Sequence, residues 1–424
     1  MKKMVCVIIA SVFMISMILA AGNSENTTAS DGKIELRISW WGGDARHEKY
    51  RQMLDNYELK NPGIKIVREF SGFDGYFDKL AVQAASNNLP DVVHMHLTKV
   101  SDYAERGALL PLDDFVENGT IDLSNFNQAI IDSGKIDGKI YMVTLGNSIT
   151  GCYYNQTELE RLGFNAPDMD WTWEECFDYC VAVKKKLNAN TWVIYDGSTN
   201  DTAFDFYLRQ RGKSLYTSDG KLGFEKQDLI DWFEMWQKFR DAGITPPMAI
   251  TAEEVMDAHG DSLLAKKRVL MRIFPANQLA IYQGYMTDIL NIVRVPGSKM
   301  GNGEFVEGAY VSIANNTKYP EESAKLINYL VNDEDAVKIF GAEHGALGSS
   351  KMNEVLMPYL SDANKIVIEF TQYASQYSSP RNAVPASGAE VTKLLTVAGQ
   401  SVGFGTPVEK AADEFFSQAE KVLK

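Results

Sequence analysis

From Ile34 to Trp41 apolar residues alternate with polar ones (Ile-Glu-Leu-Arg-Ile-Ser-Trp-Trp), a period of two that predicts a strand with one buried face. Two glycines follow, and Asp44 stands where a helix N-cap is expected. Tyr50, Met53, Leu54 and Tyr57 then recur at i, i+3, i+4 and i+7, one apolar stripe suited to lying on a sheet. Asn61-Pro62-Gly63 breaks that pattern. Residues 64–67 read as a second strand, and Phe73–Ala85 as a helix with Tyr76, Leu80, Ala81 and Ala84 on one face. Residues 91–95 read as a short buried strand. The order β, α, β, α, β predicts a doubly wound parallel sheet with right-handed crossovers, hence helices on both faces. In such sheets ligands sit outside the carboxyl ends of the strands, and Trp40, Trp41 and Gly42 fall at the first of those ends. Neighbours on a strand point to opposite faces, so one tryptophan is expected inside and the other toward a ligand.

Further along, residues 134–141 predict a hairpin turning at Asp137-Gly138, and 140–154 an extended run through Gly146 and Gly151. Thr172 and Glu175 form a capping box that opens a helix running to Lys186. Strands are expected at 192–195, 268–271, 290–295 and 309–314, and helices at 204–211, 229–242, 321–331 and 408–423. Trp171, Trp173, Trp232 and Trp236 are expected to pack inside the second half of the fold. No tandem repeat or low-complexity domain interrupts the 424 residues, a length for two to three domains.

The first residues change the cellular picture. Lys2 and Lys3 precede an apolar run over 4–21 that ends in small residues, the pattern of a secretory signal. The rival is an uncleaved anchor, since the run is just long enough to span a bilayer. Residues 22–32 are small and polar, a flexible tether. The chain is expected to be exported, periplasmic or at the cell surface, and membrane-associated only if the signal is retained. A net charge of −14 argues against nucleic acid or an anionic membrane as the main partner and favours a monomer. Of the 4 cysteines Cys6 lies in the signal. Cys152, Cys176 and Cys180 are an odd set, read as core thiols rather than a disulfide framework.

Catalytic motifs are thin. The chain has no Gly-x-Ser-x-Gly elbow, no His-Glu-x-x-His and no Walker loop. His94 and His96, two apart at the end of the third strand, suit a polar lip of a cleft better than a metal pair, because no third ligand stands nearby. Neither a metal nor a cofactor is expected.

Several segments, weak alone and specific in their order, now carry a family. They are the first strand and helix followed by Asn61-Pro62-Gly63-Ile64-Lys65-Ile66, then Leu89-Pro90-Asp91-Val92-Val93. Ile136-Asp137-Gly138-Lys139-Ile140-Tyr141 follows, then Gly151-Cys152-Tyr153-Tyr154-Asn155 and Trp171-Thr172-Trp173-Glu174-Glu175. Glu307–Ile313 and residues 319–330 complete the set. Over essentially the whole mature chain the sequence resembles the family-1 extracellular solute-binding proteins of ABC importers, the class with the maltose- and oligosaccharide-binding proteins. The resemblance implies a two-lobe periplasmic-binding-protein fold, α/β, each lobe a doubly wound sheet flanked by helices, with a ligand cleft between them. It places lobe one at 33–145 plus 309–344 and lobe two at 148–307 plus 348–424. Hinges fall near 145–147, 307–309 and 344–347, each with a glycine to absorb backbone change. One departure stands out: Leu19-Ala20-Ala21 is followed by Gly22, where many relatives carry a lipid-bearing cysteine.

The implied role is to capture a sugar or oligosaccharide by lobe closure and deliver it to the membrane permease, not to act as an enzyme. Two other roles stay open, an exported carbohydrate-active enzyme and a sensor docking on a chemoreceptor or kinase. Sugar sites pair aromatic platforms with planar polar groups. On that basis the cleft candidates are Trp40, Trp41, Gly42, Phe73, Tyr76, His94, His96, Asn147, Phe274, Tyr310, His344, Gly345 and Arg381.

Overall fold

The computed structural model describes residues 32–254, 258–297, 303–382, 384–385 and 387–423. The expected signal, Cys6, Gly22 and nearly all of the tether lie outside them. Eleven strands are described: β1 Ile34–Trp41, β2 Ile64–Ser71, β3 Val92–Met95, β4 Lys135–Ile136, β5 Lys139–Ile140, β6 Val143–Ser148, β7 Thr150–Asn155, β8 Trp192–Ile194, β9 Val269–Pro275, β10 Leu290–Arg294 and β11 Glu307–Ile313. Strands β4 and β5 form the predicted hairpin.

The other nine make two sheets. The first has the order β2-β1-β3-β11-β6 and the second β10-β7-β9-β8. In the first, β1 runs parallel to β2 and β3, while β11 runs antiparallel to β3 and β6. In the second, β7 runs antiparallel to both β10 and β9, and β8 is parallel to β9. Helices Asp44–Lys60, Phe73–Ala85 and Pro320–Asn332 cover the first sheet, and Asp362–Ser375 packs on β10 of the second. This is the expected α/β two-lobe architecture.

Local chemistry explains the ends of these elements. Thr172 and Glu175 close both halves of the capping box at the helix Trp173–Lys184. Asp44 does not cap its helix; Gly43 holds that position without a side-chain bond, and Asp44 adds negative charge to the first turn instead. In lobe two Trp173, Trp232 and Trp236 meet edge to face with ring centroids 5.7–5.9 Å apart, and Trp171 is buried nearby, as expected for a packed interior. The three thiols Cys152, Cys176 and Cys180 are free and buried.

The lobes are joined by extended chain. β6 passes into β7 through Ile149 alone, and β11 begins at Glu307 beside it, with Gly308 opposite Asn147. The segment around 344–347 lies against the same crossing, Asn147 exchanging backbone hydrogen bonds with Ala346 at 2.6 and 3.0 Å. It does not itself change lobes. The helix Ser350–Leu356 packs on Glu334–Phe340, and Val337, Leu347, Met352 and Leu356 share one small core. The third crossing therefore falls between that helix and Asp362–Ser375, about a dozen residues later than the glycine-rich stretch indicates. The glycines at 345 and 348 serve close packing rather than a change of lobe.

Gly345 shows how tight that packing is. Its φ is +94°, and a Cβ there would stand 2.5 Å from the Asn147 carbonyl oxygen. Gly345→Ala is expected to lower stability by about 1–3 kcal/mol, from strain and contact together. Chemical denaturation checks it; an unchanged midpoint would show that the crossing has slack.

Candidate functional site

The topology aims strand ends at the crossing. β7 starts there, so its antiparallel neighbours β9 and β10 finish there, with Pro275 opposite Thr150 and Arg294 opposite Gly151. In the first sheet β11 starts there, so β3 and β6 finish there, with Met95 opposite Tyr310 and Ser148 opposite Glu307. Carboxyl ends from both sheets thus converge on one interlobe region, the position favoured for ligands in open α/β sheets.

A cavity of about 680 Å³, counting its open mouth, lies between the lobes. His96, Ser133 and Lys135 line it from lobe one, Glu307 from the crossing, and Ser379, Arg381 and Asn382 from lobe two. Arg381 Nε is 3.1 Å from Asp205 Oδ2 and its Nη1 is 3.7 Å from Glu307 Oε1. Its guanidinium lies 4.4 Å over the Phe305 ring. Arg209 fixes the loop that presents it, donating to the Ser379 and Pro380 carbonyls at 2.8 and 3.1 Å. Desolvation raises the Glu307 carboxyl above the ordinary range, with Arg381 opposing. Burial pushes His96 down to about 4, with Lys99 and Arg381 adding to the effect, so its imidazole is neutral near pH 7.

A second cavity, about 940 Å³ with its mouth, opens at the end of β9 in lobe two. Phe274, Tyr195, Asn200, Asp201 and Arg272 line it. Arg272 pairs with Glu254 and spreads over the rings of Tyr195 and Phe274 at 4.4 and 4.6 Å. Asp196, also lining it, is held by Arg240 at 2.7 Å.

Of the residues expected in the cleft, His96, Arg381 and Phe274 line these two cavities. The others do not. Trp40 and Trp41 do face opposite ways, but both are buried, at 0% and 7% exposure. Trp40 stacks between Tyr50 and Phe70, with centroids at 4.7 and 5.2 Å. Trp41 sits under the helix Phe73–Ala85 with Tyr76 and Phe77, and its ring also meets the edges of His94 and His96. A second helical layer on that face takes the place that alternation reserves for ligand. Tyr76 is framework: its hydroxyl donates to the His94 carbonyl at 2.9 Å and pairs with Ser39 Oγ at 3.0 Å. Tyr310 is fully buried and donates to Ser133 Oγ at 3.0 Å, standing behind the cavity wall.

His94, Asn147 and His344 are buried beside the crossing. Tyr50 and His94 share a 2.6 Å hydrogen bond, and the His94 and His344 rings are 5.7 Å apart. Gly42 is tucked against the Arg46 side chain, and Gly345 against Asn147. Phe73 begins its helix, but its side chain lies outside the described residues. Among the described residues no cluster of three or more His, Cys, Asp or Glu could hold a metal, so His94 and His96 have no third ligand.

Glu307, Arg272, Tyr195 and Asp201 were not foreseen as site residues. Two had a signal. Arg272 is a lone cation in an apolar run (Val-Leu-Met-Arg-Ile-Phe), and Glu307 a lone acid opening an apolar strand. A buried strand keeps a charge only where a partner or a ligand meets it.

The chain belongs to the bacterial extracellular solute-binding protein family, whose profile matches residues 52–347. An extracellular solute-binding protein family 1 structure from Alicyclobacillus acidocaldarius superposes with a TM-score of 0.84 at 25% identity, covering 93% of this chain and 99% of that one. The multiple sugar-binding protein of Streptococcus mutans is 22% identical over 346 residues, 74% of this chain and 75% of its own length. The arabinooligosaccharide-binding protein of Bacillus subtilis is 25% identical over 227 residues, 52% of this chain and 51% of its own. Its family is extracellular and substrate-binding, and among the described residues no helix is long and apolar enough to cross a membrane.

Proposed function

We propose that the chain captures a sugar or oligosaccharide between its lobes, closes on it, and delivers it to the transmembrane subunits of an ABC importer. The observation that carries this is the convergence of strand ends from both lobes on cavities lined by aromatic rings and planar polar groups: Phe274 and Tyr195 with Asn200 and Asp201, and Arg381 with Glu307. Flat apolar faces suit sugar rings, and fixed carboxylate, amide and guanidinium groups suit their hydroxyls. The two relatives named for sugars support the ligand class. Closure rests on the extended crossings at 148–150 and 305–307 and on a ligand that binds the closed form more tightly.

Titration with a broad glycan panel is expected to change the tryptophan fluorescence at one-to-one stoichiometry. Ligand at about a hundred times its Kd should stabilise the fold by about 2.7 kcal/mol. A flat response with no thermal shift across the panel would refute the reading. Release of reducing ends from the bound glycan would point to a carbohydrate-active enzyme instead.

A further inference from the structure

We propose that this cleft selects uncharged, hydroxyl-bearing glycans and rejects uronates, because the described cations lining it are already committed while carboxylates face the open space. The inference rests on the glycan reading of the cleft. Lys135 is held by Asp132 at 2.7 Å, and Arg272 is paired with Glu254. Arg381 is shared between Asp205 and Glu307.

A sugar carboxylate docking on the Nη edge of Arg381 would stand beside Glu307, whose Oε1 is 3.7 Å from Nη1, and would draw the cation's charge away from Asp205. That side chain is 1% exposed, accepts from the Leu215 amide at 2.8 Å, and has Arg381 as its ion-pair partner. Leaving a buried carboxylate without its cation is far more costly than forming one exposed pair. The open positions are acceptors. Asp201 takes bonds from the Thr202 amide and the Thr392 hydroxyl at 2.8 and 2.9 Å and has no ion pair among the described residues. Glu307 touches Arg381 only at 3.7 Å. Carboxylate oxygens with spare lone pairs take sugar hydroxyls and repel a second carboxylate. At the Glu307 carboxyl desolvation raises and Arg381 opposes, while Asp201 and Asp205 add two further negative charges that push it upward.

The test is calorimetric titration of the full mature chain with matched pairs, galactobiose against digalacturonic acid and xylobiose against its glucuronic-acid-substituted form. The neutral member of a bound pair is expected to bind at least about tenfold more tightly. Uronate binding as tight or tighter overturns the inference. No binding by either kind sinks the glycan reading itself, and this inference with it. Glu307→Gln and Asp201→Asn each remove one repelling charge while keeping an acceptor. In whichever variant melts cooperatively, the neutral-to-uronate ratio is expected to narrow about tenfold. An unchanged ratio in both folded variants also overturns it.

Discussion

Trp40→Ala is expected to lower the unfolding free energy by about 3–5 kcal/mol, the range for truncating a large buried aromatic. The ring is fully buried, stacked against Tyr50 and Phe70, and its Nε1 donates to His47 Nδ1 at 3.1 Å. Truncation forfeits both stacks and strands a buried imidazole. Trp41→Ala is expected to cost nearly as much, about 3 kcal/mol, because Trp41 is the first-strand anchor of the opposite core, with Tyr76 and Phe77 against it. Alternation alone predicts contrasting mutants, one losing ligand and the other losing stability. The packing predicts two destabilised mutants instead. At low temperature, where both stay folded, glycan affinity should change less than about tenfold, since neither ring lines the cavities. Urea denaturation beside a binding titration decides. A Trp41→Ala protein of native stability that binds a hundredfold worse would restore Trp41 to the cleft wall.

The contrast between those tryptophans marks what periodicity carries. β1 was legible to the residue because its alternation is strict and its end is marked by two glycines. The capping box at Thr172 was legible because both of its bonds are local. Whether a second helix covers the far face of a sheet is not local. Trp41, Tyr76 and Tyr310 read as cleft residues because they fall at strand ends or at a crossing, yet Trp41 packs under Tyr76 and Phe77 of the helix Phe73–Ala85 and Tyr310 is fully buried. The third crossing was misplaced for a related reason. Glycines report tight backbone approach as readily as hinges, and Gly345 meets Asn147 from within lobe one. Glu307 and Arg381 lie 74 positions apart, and nothing in their spacing announces a pair. Arg381 was reachable as a lone cation in a late polar loop, whereas its pairing with Asp205, 176 positions earlier, exists only once lobe two has folded.

The three histidines near the crossing give the fold an acid limit. Desolvation holds His94 and His344 well below the ordinary imidazole range, with Arg46 adding to both and Lys49 to His344, while His96 is brought to about 4. Neutral His94 shares a 2.6 Å hydrogen bond between its Nε2 and the Tyr50 hydroxyl, and burial raises that hydroxyl so that it stays un-ionised. A histidine depressed in the fold contributes stability that is fully present above its unfolded value near 6.5 and is lost as pH falls toward its folded value. Between pH 6.5 and 5 the unfolded chain takes up protons that the fold refuses. His96 alone should then cost about 2 kcal/mol by pH 5. With all three excluded from protonation, the slope approaches about 4 kcal/mol per pH unit. Burial raises Asp205 and Glu307 in the fold, a shift whose effect on stability runs opposite to that of the histidines. The comparison that isolates the histidines is therefore wild type against His344→Gln. The variant's stability-versus-pH slope between 6 and 5 should be shallower by about 1.4 kcal/mol per unit, one proton's worth. Parallel curves from urea melts at half-unit pH steps would mean that His344 is protonated in the folded protein, and that its apolar seat between Phe340 and His94 tolerates the charge.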